Sequence, residues 1–392
     1  MSRPFHFASF LMGGFEACFA RNEHGARIDM LRSTRHDEYC REDYRLLKDT
    51  GIFTVRESLS WHQIDRGNGQ YDFSRFERIM QTAREEGMQV IWSLNHFDIP
   101  DDTDPFSPAF VERFTSYALE AARTIRRYTE GTMYLIPINE ISFFSWFAAE
   151  IGVWAPYAHN RGFEFKVQLT RCVIDFIRRL RLTDPDVRFV HADPYMHRFC
   201  LPDADHATRQ FVHDFNENDL FQAWDIVSGR MMPELGGQPD FLDVVGIHYY
   251  VYNQELVREA KPDPAHPLPR FKFKALELDD PLRMNFDEIL KVVYDRYRKP
   301  LAITETGSFG ILRVPWWERI FRETDRAIEQ GIPVLGICSY PVIDRPDWHD
   351  GHLTNSGFWD FEAGDATCRR IPHEGVLQVV RQYTGERKSD PA

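Results

Sequence analysis

The run Pro300-Leu-Ala-Ile-Thr304, closed by Glu305-Thr-Gly307, is a short apolar strand without the alternation of a sheet that faces water. Trp316–Gln330 follows, with Ile320, Ala327 and Ile328 at helical spacing and Gly331 as its stop, and Pro333–Tyr340 is a second apolar strand. This strand–helix–strand unit recurs along the chain. Strands are expected at Phe7–Phe15, Ile52–Glu57, Gln89–Asn95, Met133–Ile138, Val187–Ala192, Phe241–Tyr249, Pro300–Thr304 and Pro333–Tyr340. Helices are expected at Phe73–Glu86, Pro108–Tyr128, Lys166–Leu182, Phe286–Arg298 and Trp316–Gln330, several ending at a glycine such as Gly51, Gly87 or Gly331. Eight strands, each followed by a helical stretch, predict an α/β fold of the (β/α)8 TIM-barrel type. A doubly wound open sheet would want a G-x-G-x-x-G phosphate turn after the first strand, and Gly13-Gly14-Phe-Glu-Ala does not supply one. One domain is expected over residues 1–392. A long loop, rich in Pro and charge, is expected at about 253–284 after the sixth strand, walling the active-site face.

Composition narrows the function classes. The 392 residues carry 47 Lys and Arg against 60 Asp and Glu, and a balance of −13 repels phosphate backbones and anionic head groups. No nucleic-acid or membrane partner is expected, and no apolar run approaches the roughly 18 residues of a membrane span. Met1-Ser-Arg-Pro-Phe-His6 lacks the layout of a signal peptide, so a cytoplasmic location is expected. Six scattered cysteines form no Cys-x-x-Cys pair and suit neither a zinc framework nor a disulfide scaffold. The 31 Phe, 15 Tyr and 9 Trp lean towards a groove whose rings stack on flat apolar faces.

Barrel enzymes work at the C-terminal ends of their strands. The fourth strand ends in Asn139-Glu140 and the seventh in Glu305, which sets two carboxylates across one opening. Glycosidic bond cleavage needs that arrangement, one carboxyl protonating the leaving oxygen while the other attacks or activates water. Strand 2 closes with Arg56-Glu57, and Arg56 is a cation placed to hold a carboxylate ionised. Strand 3 closes with Asn95-His96-Phe97-Asp98, strand 5 with His191-Ala-Asp193, and strand 8 with Tyr340 followed by Asp344-Arg-Pro-Asp347-Trp348. On strand 6, His248 and Tyr250 are two apart and share a face.

At these residues the sequence resembles glycoside hydrolase family 1, the β-glucosidase family of clan A, as a divergent member. The resemblance rests on Leu94–Pro100, Ile138-Asn139-Glu140, Gly152-Val-Trp-Ala155-Pro156, Gly246-Ile-His-Tyr-Tyr250, Ile303-Thr-Glu-Thr-Gly307 and the stretch Gly336–Trp348. It implies Glu140 as general acid/base, beside Asn139 on the sugar 2-hydroxyl, and Glu305 as nucleophile held by Arg56 and Tyr250. It further implies His96 on the 3-hydroxyl and His248 in the place of the family's strand-6 Asn. Tyr340 would stand where the family has a platform Trp, and Asp347 and Trp348 where it has a Glu-Trp pair. Glu16 is the nearest counterpart of the strand-1 Gln. Ile141 and Thr306 also depart from the pattern, and the residues that read a phosphorylated sugar are missing from the strand-8 loop.

A retaining β-glycosidase working by double displacement on a small-molecule or oligosaccharide β-glycoside is thus expected, with no metal or organic cofactor. Burial and the nearby Glu305 should raise the pKa of Glu140, and Arg56 and Tyr250 should keep Glu305 ionised. A catalytically silent or transglycosylating sugar-binding barrel is the alternative. A metal-dependent barrel hydrolase would draw on His191, Asp193, His349, Asp350 and His352, which come from only two loops. Trp146 and Trp154 are candidates for an aglycone site, whereas Trp316-Trp317 suits core or rim packing at least as well as an aglycone floor. Glycone, aglycone and oligomeric state are not legible.

Overall fold

A computed structural model describes residues 7–261 and 270–388. Eight parallel strands close into a barrel: β1 (Leu11–Gly14), β2 (Thr54–Ser58), β3 (Gln89–Ser93), β4 (Tyr134–Ile136), β5 (Arg188–Pro194), β6 (Val244–His248), β7 (Leu301–Thr306) and β8 (Val334–Ser339). Each strand pairs with its neighbours in sequence, and β8 closes on β1 through Leu11 opposite Ile337. Helices on the outside follow in turn: α1 (His36–Asp49), α2 (Ser74–Glu86), α3 (Ala109–Arg126), α4 (Gly162–Arg181), α5 (Gln222–Val227), α6 (Phe286–Tyr297), α7 (Arg313–Glu329) and α8 (Glu374–Lys388). The expected (β/α)8 architecture is the observed one. The glycine stops behave as read: Gly87 caps α2 with φ +69°, a left-handed conformation that costs a residue without a Cβ little.

Strand alternation sorts the side chains into two cores. Met12, Ile91, Tyr134, Ile136, Val190, Ala192, Val244, Ala302 and Cys338 join Phe7 in an apolar cluster inside the barrel. The larger cluster lies between strands and helices; α2, for example, contributes Phe76, Ile79, Met80 and Ala83. On β2 the same alternation turns Arg56 inward, level with Ile91, and Glu57 outward towards α1. There His36 Nδ1 meets Asp43 Oδ2 at 2.8 Å, His36 Nε2 meets Glu57 Oε1 at 2.9 Å, and Tyr44 donates to Glu57 at 2.6 Å. Arg370 completes this enclosed network with two 2.8 Å bonds to Asp43.

The stretch expected as an irregular loop at 253–284 is partly sheet. Gln254–Lys261 and Arg270–Ala275 pair antiparallel, and the first of them pairs with His197–Phe199, just after β5. Leu256 and Val257 are buried in it, so apolar residues among the charges give the hairpin a face to cover. Residues 262–269 of that loop, like Met1–His6, lie outside the described residues.

Candidate active site

The backbone beyond β4 is held from both sides. Asn139 N–H donates to Asn95 O and Glu140 N–H to Ala192 O, each at 2.9 Å, which pins the pair between β3 and β5. Glu140 takes φ +46°, a region an L-residue adopts at a cost and one recurrent at functional sites. Across the opening, Tyr249 N–H donates to Glu305 O at 3.0 Å and fixes the end of β7 against β6.

The side chains converge. One oxygen of Glu140, one of Glu305 and a ring nitrogen of His248 all lie within 4.8 Å of one another. Glu305 Oε1 is paired with Arg56 Nη2, and its Oε2 accepts from Tyr250 OH at 2.7 Å. The second arm of Arg56, Nη1, donates to Asn139 Oδ1 and to His248 Nε2, each at 3.2 Å. His248 Nδ1 lies 2.6 Å from Glu140 Oε1 and 3.1 Å from Glu305 Oε2. His248 is thus in contact with both carboxyls.

Burial pushes the Glu140 carboxyl well above the usual range, and the charges of Glu305 and Asp193 push it further. Burial raises Glu305 too, although Arg56 and the Tyr250 hydroxyl pull it back. Arg56 and Tyr250 thus act on Glu305 in the expected direction, against the rise that burial causes. The rise is the larger at Glu140, where burial and the neighbouring carboxylates outweigh the pull of Arg56. His248 and His96 are held well below the usual imidazole value by burial first and by Arg56 second. Asp193, behind Glu140, is pushed up to about 6 by burial against its bond from Ser142 N–H.

A second buried polar cluster, at the other end of the site, is built around Glu16. Its Oε1 accepts from Cys18 N–H at 2.8 Å, and its Oε2 accepts from Tyr340 OH and lies 3.0 Å from Arg345 Nε. Arg345 was not singled out from the sequence, since a loop has no periodicity to reveal which side chain turns inward. It stacks over Trp348 at 4.6 Å, and Trp348 packs on Trp154 and Phe97. His96 is enclosed, with Nδ1 3.2 Å from Ser58 Oγ and its ring 6.5 Å from that of Tyr340. Asp347 stays within its own loop, accepting from His349 N–H and donating its N–H to His352 O. Among the described residues, Asn139 Nδ2 and Trp348 Nε1 are buried donors without a partner.

The aromatic readings divide. Trp146 is 48% exposed on the loop after β4, but Trp154 and Trp316 are fully buried and Trp317 nearly so. Those three are core packing rather than an aglycone surface. Two exposed rings went unread: Tyr252 stacks on Tyr250 at 5.3 Å, and Phe309 lies 6.3 Å beyond it. The two-residue spacing from Tyr250 was the available signal for Tyr252.

The five residues of the metal reading do not assemble. His191 Nε2 is bound to Phe241 O, His349 contacts Glu23, and His352 contacts Asp350. Among the described residues, the groups spaced to hold an ion are Glu140, His248 and Glu305, and Asp347, Asp350 and His352. Neither contains His191 or Asp193. No helix among the described residues is long and apolar enough to cross a membrane.

Comparison with known proteins agrees with the fold. Beta-glucosidase A of Thermotoga maritima is 23% identical over 371 residues, covering 82% of this chain and 80% of its own. The chloroplastic galactolipid galactosyltransferase SFR2 of Arabidopsis thaliana is 21% identical over 79% of this chain, which spans about half (52%) of that protein. A solved family 1 β-glucosidase from Thermotoga maritima superposes with a TM-score of 0.75 at 18% identity, over 100% of this chain and 99% of that one. The same enzyme has been solved with azafagomine and with castanospermine. A family model described as beta-galactosidase, glycoside hydrolase 42, matches residues 33–95, from α1 to the end of β3. The chain is a divergent relative of the family 1 β-glucosidases.

Proposed function

We propose that the protein is a retaining β-glycosidase in which Glu305 attacks the anomeric carbon while Glu140 protonates the departing oxygen. The observation that carries this reading is the carboxyl pair itself, with one oxygen of each inside a 4.8 Å triangle completed by His248. Retaining enzymes hold their carboxyls about 5–5.5 Å apart, whereas inverting ones leave roughly 6.5–9.5 Å for a water. The asymmetry supports the assignment of roles. Glu305 is the carboxyl that Arg56 and Tyr250 favour as an anion, and Glu140 is the one that keeps a proton. Glu140 then removes a proton from water as that water releases the sugar from Glu305 with β configuration.

Asn139, Trp348 and the acceptor-only Glu16 are assigned to the sugar's hydroxyls, the roles that the family resemblance implies for them. Trp146, Tyr252 and Phe309 are assigned to the aglycone. The substrate is a β-glycoside in the cytoplasm, handled without a metal or organic cofactor.

The test is a panel of 4-nitrophenyl glycosides, with Glu305→Gln and Glu140→Gln as controls and NMR of the first-formed anomer. Turnover of a β-glycoside with retention, lost in Glu305→Gln by about a thousandfold or more, is the expected result. With this activated leaving group, Glu140→Gln should slow release of the sugar from Glu305 more than its transfer onto it. First-formed α-anomer would overturn the reading.

Transfer to an acceptor other than water is a second reading, favoured by the similarity to the galactosyltransferase. Adding an alcohol acceptor and following glycoside formed against free sugar separates the two.

A further inference from the structure

We infer that His248 is a positioning residue that decides which oxygen of Glu140 carries the acid proton. The inference rests on the assignment of Glu140 as the acid, and it starts from a constraint on tautomers. Arg56 Nη1 is 3.2 Å from His248 Nε2, and a guanidinium has only donors to offer. Nε2 must therefore accept, so the single ring proton of the neutral imidazole resides on Nδ1. That N–H donates to Glu140 Oε1 across 2.6 Å. An oxygen that already accepts so short a bond is a poor place for a second proton. The proton of the neutral acid is left to Oε2, which has no partner among the described residues and is not among the sealed, unsatisfied atoms.

The order of donation is thus Arg56 to His248 to Glu140, from β2 through β6 to β4. An amide at position 248 supplies a donor as well, but it can flip and exchange its oxygen for its nitrogen. The imidazole held by Arg56 cannot.

Every charged or titratable group around the ring fits this state. Glu140 faces it from β4, Glu305 from β7 at 3.1 Å, and Arg56 from β2. His96 acts on it from β3 and favours the neutral ring, as do burial and Arg56. On its own strand Tyr250 spends its hydroxyl on Glu305 Oε2. Asp193 behind Glu140 and Glu16 at the other end of the site contribute negative charge, and Tyr340 is occupied by Glu16.

Two measurements test the inference and separate it from the proposed activity. The first needs no substrate: nitrogen NMR on the full chain with labelled histidine, assigned by comparison with His248→Asn. A neutral His248 protonated at Nδ1, constant from about pH 5 to 8, is expected. A neutral ring protonated at Nε2, or an imidazolium, would overturn the inference whether or not any glycoside is cleaved. The second is the pH profile of kcat/KM for His248→Asn and His248→Leu. His248→Leu removes the donor that favours ionised Glu140, so its alkaline limb should move to higher pH while kcat falls roughly tenfold or more. His248→Asn should recover part of both. An unshifted limb with only KM raised would make His248 a simple sugar contact and refute the positioning role. A wild-type chain inert on every glycoside, with His248 protonated at Nδ1, would sink the activity and leave the hydrogen-bond relay standing.

Discussion

Removing the hydroxyl of Tyr250 takes from Glu305 Oε2 a 2.7 Å donor that favours the carboxylate, leaving Arg56 to hold that charge against burial. In Tyr250→Phe the Glu305 carboxyl should therefore rise further. Activity needs Glu305 ionised, so the acid limb of kcat/KM should move to higher pH and kcat should drop by about one to two orders of magnitude. An acid limb at its original pH would show that Arg56 alone sets the charge. The carboxyl pair itself was legible because chemistry at a strand end follows an apolar run that fixes its place. Arg345 was not, although its neighbours were read, because only the folded loop turns it onto Glu16. Trp154 misled for a related reason: a ring in an apolar context suits a pocket wall and a core equally, and burial decides, for Trp316 and Trp317 in favour of the packing already expected of them.

The seam between β2 and α1 holds a histidine with a carboxylate on each nitrogen, so both nitrogens donate and the ring is a cation. Burial opposes that charge, but Glu57 and Asp43 overcome it and lift His36 from 6.5 to about 9. A pKa raised on folding stabilises fully below the unfolded value and is lost as pH climbs through the folded one. The contribution is of order 3 kcal/mol below about pH 6.5 and vanishes above about pH 9. Tm of the wild type should therefore fall between those limits more steeply than that of His36→Gln; parallel slopes would remove the cation from the account. The seam between β7 and β8 is steric instead. A Cβ on Gly307 would stand 2.4 Å from Tyr340 O, so Gly307→Ala must push the strand-8 end away from the pocket. A loss of about 1–3 kcal/mol is expected, with KM raised, and an unchanged Tm and KM would contradict the close fit. The strands were legible as apolar runs, whereas the hairpin after β6 was hidden by charges and prolines that resemble a linker.

Closure of the whole barrel depends on residues far apart in the chain. Arg370 reaches Asp43 on α1, Thr384 reaches Thr50 O, and Tyr383 of α8 stacks on Phe321 at 3.8 Å. Val376, Leu377 and Val380 are buried against the same core. A chain ending at Arg369 would uncover that apolar face, worth roughly 1.5–3 kcal/mol for each fully buried side chain. It should lose its cooperative thermal transition in calorimetry; a transition within a few degrees of the full chain would show that α8 is an accessory.

Beneath Arg56 and the carboxyl pair, the barrel is filled by Met12, Ile91, Ile136, Val190 and their neighbours, packed with Phe7. Among the described residues this is an apolar floor, a costly path for water or hydronium. Protons are then expected to reach Glu140 and Glu305 from the strand ends where the proposed sugar would sit, so a bound glycone should act as a stopper. Exchange of the His248 N–H with deuterated solvent should then slow sharply when a tight sugar mimic is seated, although no atom of the floor has moved.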